Sequence, residues 1–179
     1  MYVSTRGEAP PRDFEGVLLA GLAEDGGLFV PESWPVLTAA EWRELRGLPY
    51  PDLAARILAL FTGGQPDEAA LRPLLAQAYA SFGHRAVCPL VQLDSRVFAQ
   101  ELFHGPTLAF KDMAMQALGL LFDRALAARG ERVTIVAATS GDTGSAAIEA
   151  CRDRAAIDIV VLHPEGRTSA VQRRQMTTV

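Results

Sequence analysis

Two rhythms of apolar residues divide the chain. In the first half they recur every three or four positions: Leu53, Ile57, Leu58 and Phe61 form one series, and Leu71, Leu74, Leu75 and Ala78 another. That spacing lines one face of a helix. It predicts helices over 51–61 and 66–82, with a further one over 38–46 and an earlier one over 14–23 that follows a short extended piece. Thr38 followed three residues later by Glu41 reads as a capping box, and Asp67 lies close to the cap of the last helix. Gly26-Gly27 closes the earliest helix, and Leu28 to Pro31 reads as a short strand.

From residue 87 the rhythm changes. Segments 87–93 and 96–102 are strand-like and meet at Asp94-Ser95, a short polar link suited to a hairpin turn. A long helix over 106–129 stops at Gly130, a C-terminal cap signal. The run Val133-Thr134-Ile135-Val136-Ala137-Ala138 reads as a strand buried on both faces. A helix over 142–154, a strand over 157–162, the break Pro164-Glu165-Gly166 and a helix start at Thr168 or Ser169 complete the series. Continuous β-branched strands alternating with helices predict an α/β fold with a parallel sheet. The expected organisation is a mainly helical region with a short strand over 1–86, then an α/β region over 87–179.

Composition narrows the function classes. A hydrophobic share of 49% over 179 residues suits a packed core. A net charge of −4 removes the electrostatic footing for a nucleic-acid partner. The longest apolar runs are far too short to span a bilayer, and the first seven residues lack the apolar core of a secretory signal. Two cysteines, Cys88 and Cys151, imply neither a disulfide framework nor a zinc ribbon, which points to a reducing, cytoplasmic setting. His84, His104 and His163 are widely separated and form no local metal-binding pair.

Candidate chemistry gathers in two stretches. Lys111 sits at the start of the long helix among Leu108, Ala109, Phe110 and Met113. The positive end of a helix and apolar neighbours both disfavour an ammonium, and so favour the neutral amine that can attack a carbonyl carbon. An ordinary helix start, with Pro106 or Thr107 near the cap and Lys111 extended towards water, accounts for the same residues. The second stretch is Ala138-Thr139-Ser140-Gly141-Asp142-Thr143-Gly144-Ser145, between the expected buried strand and its helix. The carboxyl end of a strand is where α/β sheets bind ligands. Glycines there admit close approach, hydroxyls of Ser140, Thr143 and Ser145 add donors, and the amides suit a carboxylate or phosphate. No lysine follows Gly144 as in a nucleotide P-loop, the three-glycine dinucleotide spacing is missing, and no Gly-x-Ser-x-Gly elbow occurs. A plain strand-to-helix turn capped by Asp142 remains the alternative.

Together the apolar-flanked lysine and the Ser-Gly-Asp-Thr-Gly turn resemble the fold-type II pyridoxal-phosphate enzymes, the tryptophan synthase β-like family. Phe103-His104-Gly105-Pro106-Thr107-Leu108-Ala109-Phe110-Lys111-Asp112 is similar to the lysine motif of the bacterial and fungal class of threonine synthases. So are Tyr2 through Gly7, Ala20 through Pro31, Pro164 through Arg167, and Gln172 through Val179. The resemblance covers essentially the whole chain. It implies that Lys111 forms the Schiff base with pyridoxal 5′-phosphate and that Thr139, Ser140, Gly141 and Thr143 hold the substrate carboxylate. It also implies a cofactor contact for Asp142, where many relatives carry asparagine; His104, two residues before Pro106, is placed at the mouth of the substrate site by its position alone. The lysine motif departs from the Asn-Pro-Thr-Gly-Ser-Phe-Lys-Asp-Arg form of dehydratases at Leu108, Ala109 and Met113, which favours the bacterial and fungal class.

The implied reaction is conversion of O-phosphohomoserine and water to threonine and phosphate. A different fold-type II lyase, of the serine or threonine dehydratase kind, and a non-catalytic binding module are the alternatives. Chains of the threonine synthase class are longer, and no second glycine-rich loop for the cofactor phosphate occurs in these residues. The resemblance therefore implies an N-terminal portion with an incomplete parallel sheet, weak cofactor binding, little turnover and self-association through an exposed sheet edge.

Overall fold

The computed structural model describes residues 1–179 and divides them into two compact units, Met1–Ala76 and Gln77–Val179. In the first unit, β1 (Tyr2–Ser4) pairs antiparallel with β2 (Phe29–Pro31). Helices α1 (Phe14–Ala20), α2 (Ala39–Glu44), α3 (Tyr50–Ala59) and α4 (Glu68–Tyr79) follow the predicted rhythm, and the division between units falls in the last turns of α4. The capping box at Thr38 and Glu41 is present in both directions. Helix α1 is shorter than expected: it ends at Gly21, whose φ of +70° takes a conformation open to glycine, well before Gly26-Gly27. Leu71 and Leu75 have no solvent exposure and Ala78 is buried, so the apolar series along α4 is core; along α3, Leu53, Ile57, Leu58 and Phe61 are only half-buried and Ala55 is the buried residue.

Asp25 organises the loops of this unit. Its carboxylate accepts from the Ser4 hydroxyl and the Gly27 amide on one oxygen, and from the amides of Glu8 and Ala9 on the other. Four donors on one side chain bring the end of β1, the 8–9 segment and the 25–27 turn together. Partial withdrawal from water works against the charged form. The Gly27, Glu8 and Ala9 amides and the Ser4 hydroxyl outweigh it and hold the carboxyl below its ordinary range.

The second unit carries the candidate site. Strands β3 (Leu90–Gln92) and β4 (Phe98–Gln100) form the expected hairpin, with Asp94 accepting from the amides of Arg96 and Val97 in the turn. Then come α5 (Asp112–Arg129), β5 (Val133–Ala138), α6 (Asp142–Cys151), β6 (Ile157–Leu162) and α7 (Ala170–Thr177). β5 and β6 pair in parallel from Val133 with Ile157 to Ala138 with Leu162. Helix α5 crosses α6 closely, because Gly119 has no Cβ to strike the Ala150 carbonyl. The architecture is thus α/β, with seven helices and a parallel strand pair.

Two expectations are corrected here. β5 is not buried on both faces: Val133, Ile135 and Ala137 are half-buried while Val136 is 67% exposed. α6 packs against the side of the sheet bearing Val161, and the opposite side, with Val160 and Leu162, faces solvent. The long helix starts at Asp112 and not at Pro106. Leu108 has a φ of +63°, a left-handed conformation that no helix of L-residues continues, so residues 105–111 form a turn-rich loop.

Candidate active site

That loop is built on one buried carboxylate. Asp112 is fully buried and reaches back to accept from the Thr107 amide at 2.8 Å and the Thr107 hydroxyl at 2.9 Å. Gln116, one turn along α5, donates to the same side chain at 3.4 Å. A Cβ on Gly105 would collide with Asp112, so glycine is required there by close approach. The Tyr79 hydroxyl donates to the Met113 carbonyl at 3.0 Å and anchors the first turn of α5 from outside.

Lys111 stands at the cap position of α5, one residue before the helix, and is half-buried with its Nζ 4.4 Å from the centre of the Phe110 ring. Among the seventeen lysines and arginines of the chain it is the sole lysine. Any amine chemistry on a side chain is therefore confined to this position. His104, at the other end of the loop, pairs its Nε2 with a Glu101 oxygen at 2.7 Å and lies against the rings of Phe103 and His84.

The second stretch is a strand-to-helix turn. The Thr139 hydroxyl accepts from the amides of Gly141 and Gly144, both at 3.2 Å, and so braces the start of α6. Asp142 and Thr143 open the helix with first-turn amides that have no intrahelical acceptor, and Ser140 is exposed beside them. Thr139 is thus turned inward as a brace and Gly141 is buried beneath Gln172, while the exposed Ser140 and the half-buried Thr143 form the rim. The exposed carboxylate of Asp142 accepts from Gln172 Nε2 at 2.7 Å. His163 follows directly on β6, with its buried Nδ1 lacking a protein partner.

Helix α7 touches both stretches. Gln175 Nε2 donates to the Thr107 carbonyl at 2.9 Å, Gln172 reaches Asp142 and fills the space a Cβ on Gly141 would need, and Met176 does the same at Gly144. Local spacing gave Asp112 only the role of an acid suited to the helix dipole, and gave none to Gln172 or Gln175. The only trace of them in sequence is that Asp112 and 172–179 lie inside the motifs quoted above. No group of three or more potential metal-ligating side chains occurs, and no helix is long and apolar enough to cross a membrane.

A lone primary amine at a helix start, together with a hydroxyl-rimmed helix N-terminus tied to the same helix, suits a ligand with an aldehyde and a carboxylate. Residues 84–178, more than half of the chain, match the family described as "Pyridoxal-phosphate dependent enzyme", and the chain belongs to that family. Its particular likeness is to threonine synthases: residues 1–79 match the family "Threonine synthase N terminus". The chain is 56% identical to threonine synthase of Pseudomonas aeruginosa over 99% of its length. It is 44% identical to threonine synthase-like 2 of Xenopus laevis, again over 99%. The crystal structure of pyridoxal-phosphate-bound threonine synthase from Brucella melitensis superposes with a TM-score of 0.95 at 57% identity over 98% of this chain. In each of these three the chain spans 38% of the relative's length.

Proposed function

We propose that this chain carries the cofactor lysine and the substrate-carboxylate turn of a threonine synthase, a cytoplasmic fold-type II enzyme that converts O-phosphohomoserine and water to threonine and phosphate. The observation that carries this reading is the placement of the sole lysine in a loop that shares α7 with the Thr139–Thr143 turn. The likeness to threonine synthases over nearly the whole chain supports it, as do the free thiols of Cys88 and Cys151. Residues 1–86 would act as the helical partner region and 87–179 as the cofactor-binding region.

Pyridoxal phosphate, when bound, supplies an electron-poor ring that stabilises negative charge at the substrate Cα. The chain supplies the rest. Lys111, the one side-chain amine, would hold the aldehyde of the cofactor, and its free amine would serve as a tethered base and acid towards the substrate Cα and Cβ. The first-turn amides of α6, with Ser140, Gly141 and Thr143, orient the substrate carboxylate, and Thr139 keeps that turn in shape. Asp142, held by Gln172, would contact the cofactor. His104 borders the substrate site with its imidazole fixed by Glu101.

The test is trapping with borohydride in the presence of pyridoxal phosphate, followed by peptide mapping. The expected result is a single labelled side chain, Lys111, lost in Lys111→Ala. O-phosphohomoserine should then shift the visible absorbance of the loaded chain. A response to serine in its place would mark a dehydratase-like lyase instead, and label that persists in Lys111→Ala would overturn the lysine assignment.

A further inference from the structure

We infer that α7 is a clip that positions the two halves of the site, with Gln175 setting the lysine loop and Gln172 setting the carboxylate turn. This deepens the reading above and rests on it for the identity of the ligand. The physical case begins with what the two loops lack. The 105–111 loop is tied to its own helix through Asp112, and the 139–144 turn is tied to its own helix through Thr139. Neither set of bonds fixes one loop against the other.

Beyond the packing of α5 on α6, helix α7 supplies a direct connection between the loops. Gln175 lies 68 residues from Thr107 in sequence and donates to its carbonyl at 2.9 Å, four positions before Lys111. On the same helix, Gln172 has a double duty. Its Oε1 accepts from the Ser169 amide at 3.0 Å, closing a capping box that holds the start of α7, while its Nε2 donates to Asp142 at 2.7 Å. The amide head therefore has both ends engaged, and it occupies the space that Gly141 leaves open. Met176 sits one residue beyond Gln175 with its sulfur over Gly144. A site whose reacting atoms must be held to a fraction of an ångström needs such support behind the contacting residues. Gln172 and Gln175 are positioning residues: each acts through the loop residue it touches, Asp142 and Thr107.

The two ties are separable, which makes the inference testable. Gln175→Glu keeps size and acceptor oxygens but removes the N–H donor. Amide hydrogen exchange in this chain should then accelerate about fivefold at 107–111, the consequence of losing one ordinary hydrogen bond. Exchange in the middle of α5 and in β5 should be unchanged, and borohydride-trapped pyridoxal phosphate should accumulate on Lys111 more slowly. Gln172→Glu, which brings a second carboxylate up to Asp142, should accelerate exchange at 140–144 and leave 107–111 alone. Gln175→Met is the second variant should Gln175→Glu fail to fold. The inference is overturned if exchange at 107–111 is unaltered, if the acceleration spreads evenly through 77–179, or if neither Gln175 variant folds. Lys111→Ala separates this outcome from the functional reading: retained label there defeats the lysine assignment and leaves the exchange result standing.

Discussion

Two aspartates do comparable work at opposite ends of the chain, and both do it with backbone amides. Asp112 folds the lysine loop back on α5 through Thr107, and Asp25 gathers the loops around β1 through Ser4, Glu8, Ala9 and Gly27. Charge-assisted bonds of this kind are about twice as strong as neutral ones. For Asp25 the consequence is a pH dependence with a definite sign. Its folded carboxyl sits below the ordinary range, so its contribution is fully present above that range and is lost as pH falls through the depressed value. The chain should therefore lose urea resistance on acidification, and Asp25→Asn, which keeps one acceptor oxygen, should be less stable at neutral pH with a flatter acid limb. A parallel acid limb in the variant would remove Asp25 from the account. Neither aspartate was legible as an organiser, because a carboxylate that accepts amides from distant loops leaves no periodic mark in the sequence.

At the scale of elements, the caps were the most legible features. Thr38 with Glu41 forms the predicted box, and Ser169 with Gln172 forms another at one of the two residues where the last helix was expected to start. The start of α5 was the instructive failure. Apolar residues continue backward through Phe110 and Leu108, and spacing alone shows no break in the helical rhythm, yet those side chains are 59% and 69% exposed. Leu108 in the left-handed region breaks the helix, and the bonds from Thr107 to Asp112 hold the break. The site was legible as two motifs and illegible as one place, since the α7 contacts join residues 30 and 68 positions apart. The crossing of α5 and α6 makes a further prediction. Gly119→Ala would gain about 1 kcal/mol of helix propensity, but the new Cβ meets the Ala150 carbonyl, and overpacking of this kind costs about 1–3 kcal/mol. Because backbone cannot give way cheaply, the clash should win. The variant should unfold at lower denaturant, whereas a more stable Gly119→Ala would show that the two helices slide apart freely.

For the molecule as a whole, the uncovered apolar surface decides its behaviour in solution. The parallel pair β5–β6 has two strands only, so each strand has one edge without a ladder partner. Its open face presents Val136, Val160 and Leu162 at 67%, 49% and 58% exposure. On its own sheet the β3–β4 hairpin also exposes Leu90, Leu93 and Phe98. A contiguous apolar patch beyond a few hundred Å² is uncommon on soluble monomers and is normally covered. In a solution of this chain alone the available cover is a second copy, and a net charge of −4 is a weak barrier to its approach. Sedimentation should therefore show concentration-dependent association. Placing a charge on the open face with Val160→Lys should shift the chain towards monomer while leaving the far-ultraviolet spectrum intact, because Val160 contributes little to the packed side of the sheet. Pure monomer at every concentration for the unaltered chain, or association that Val160→Lys does not weaken, would show that this face is not where copies meet.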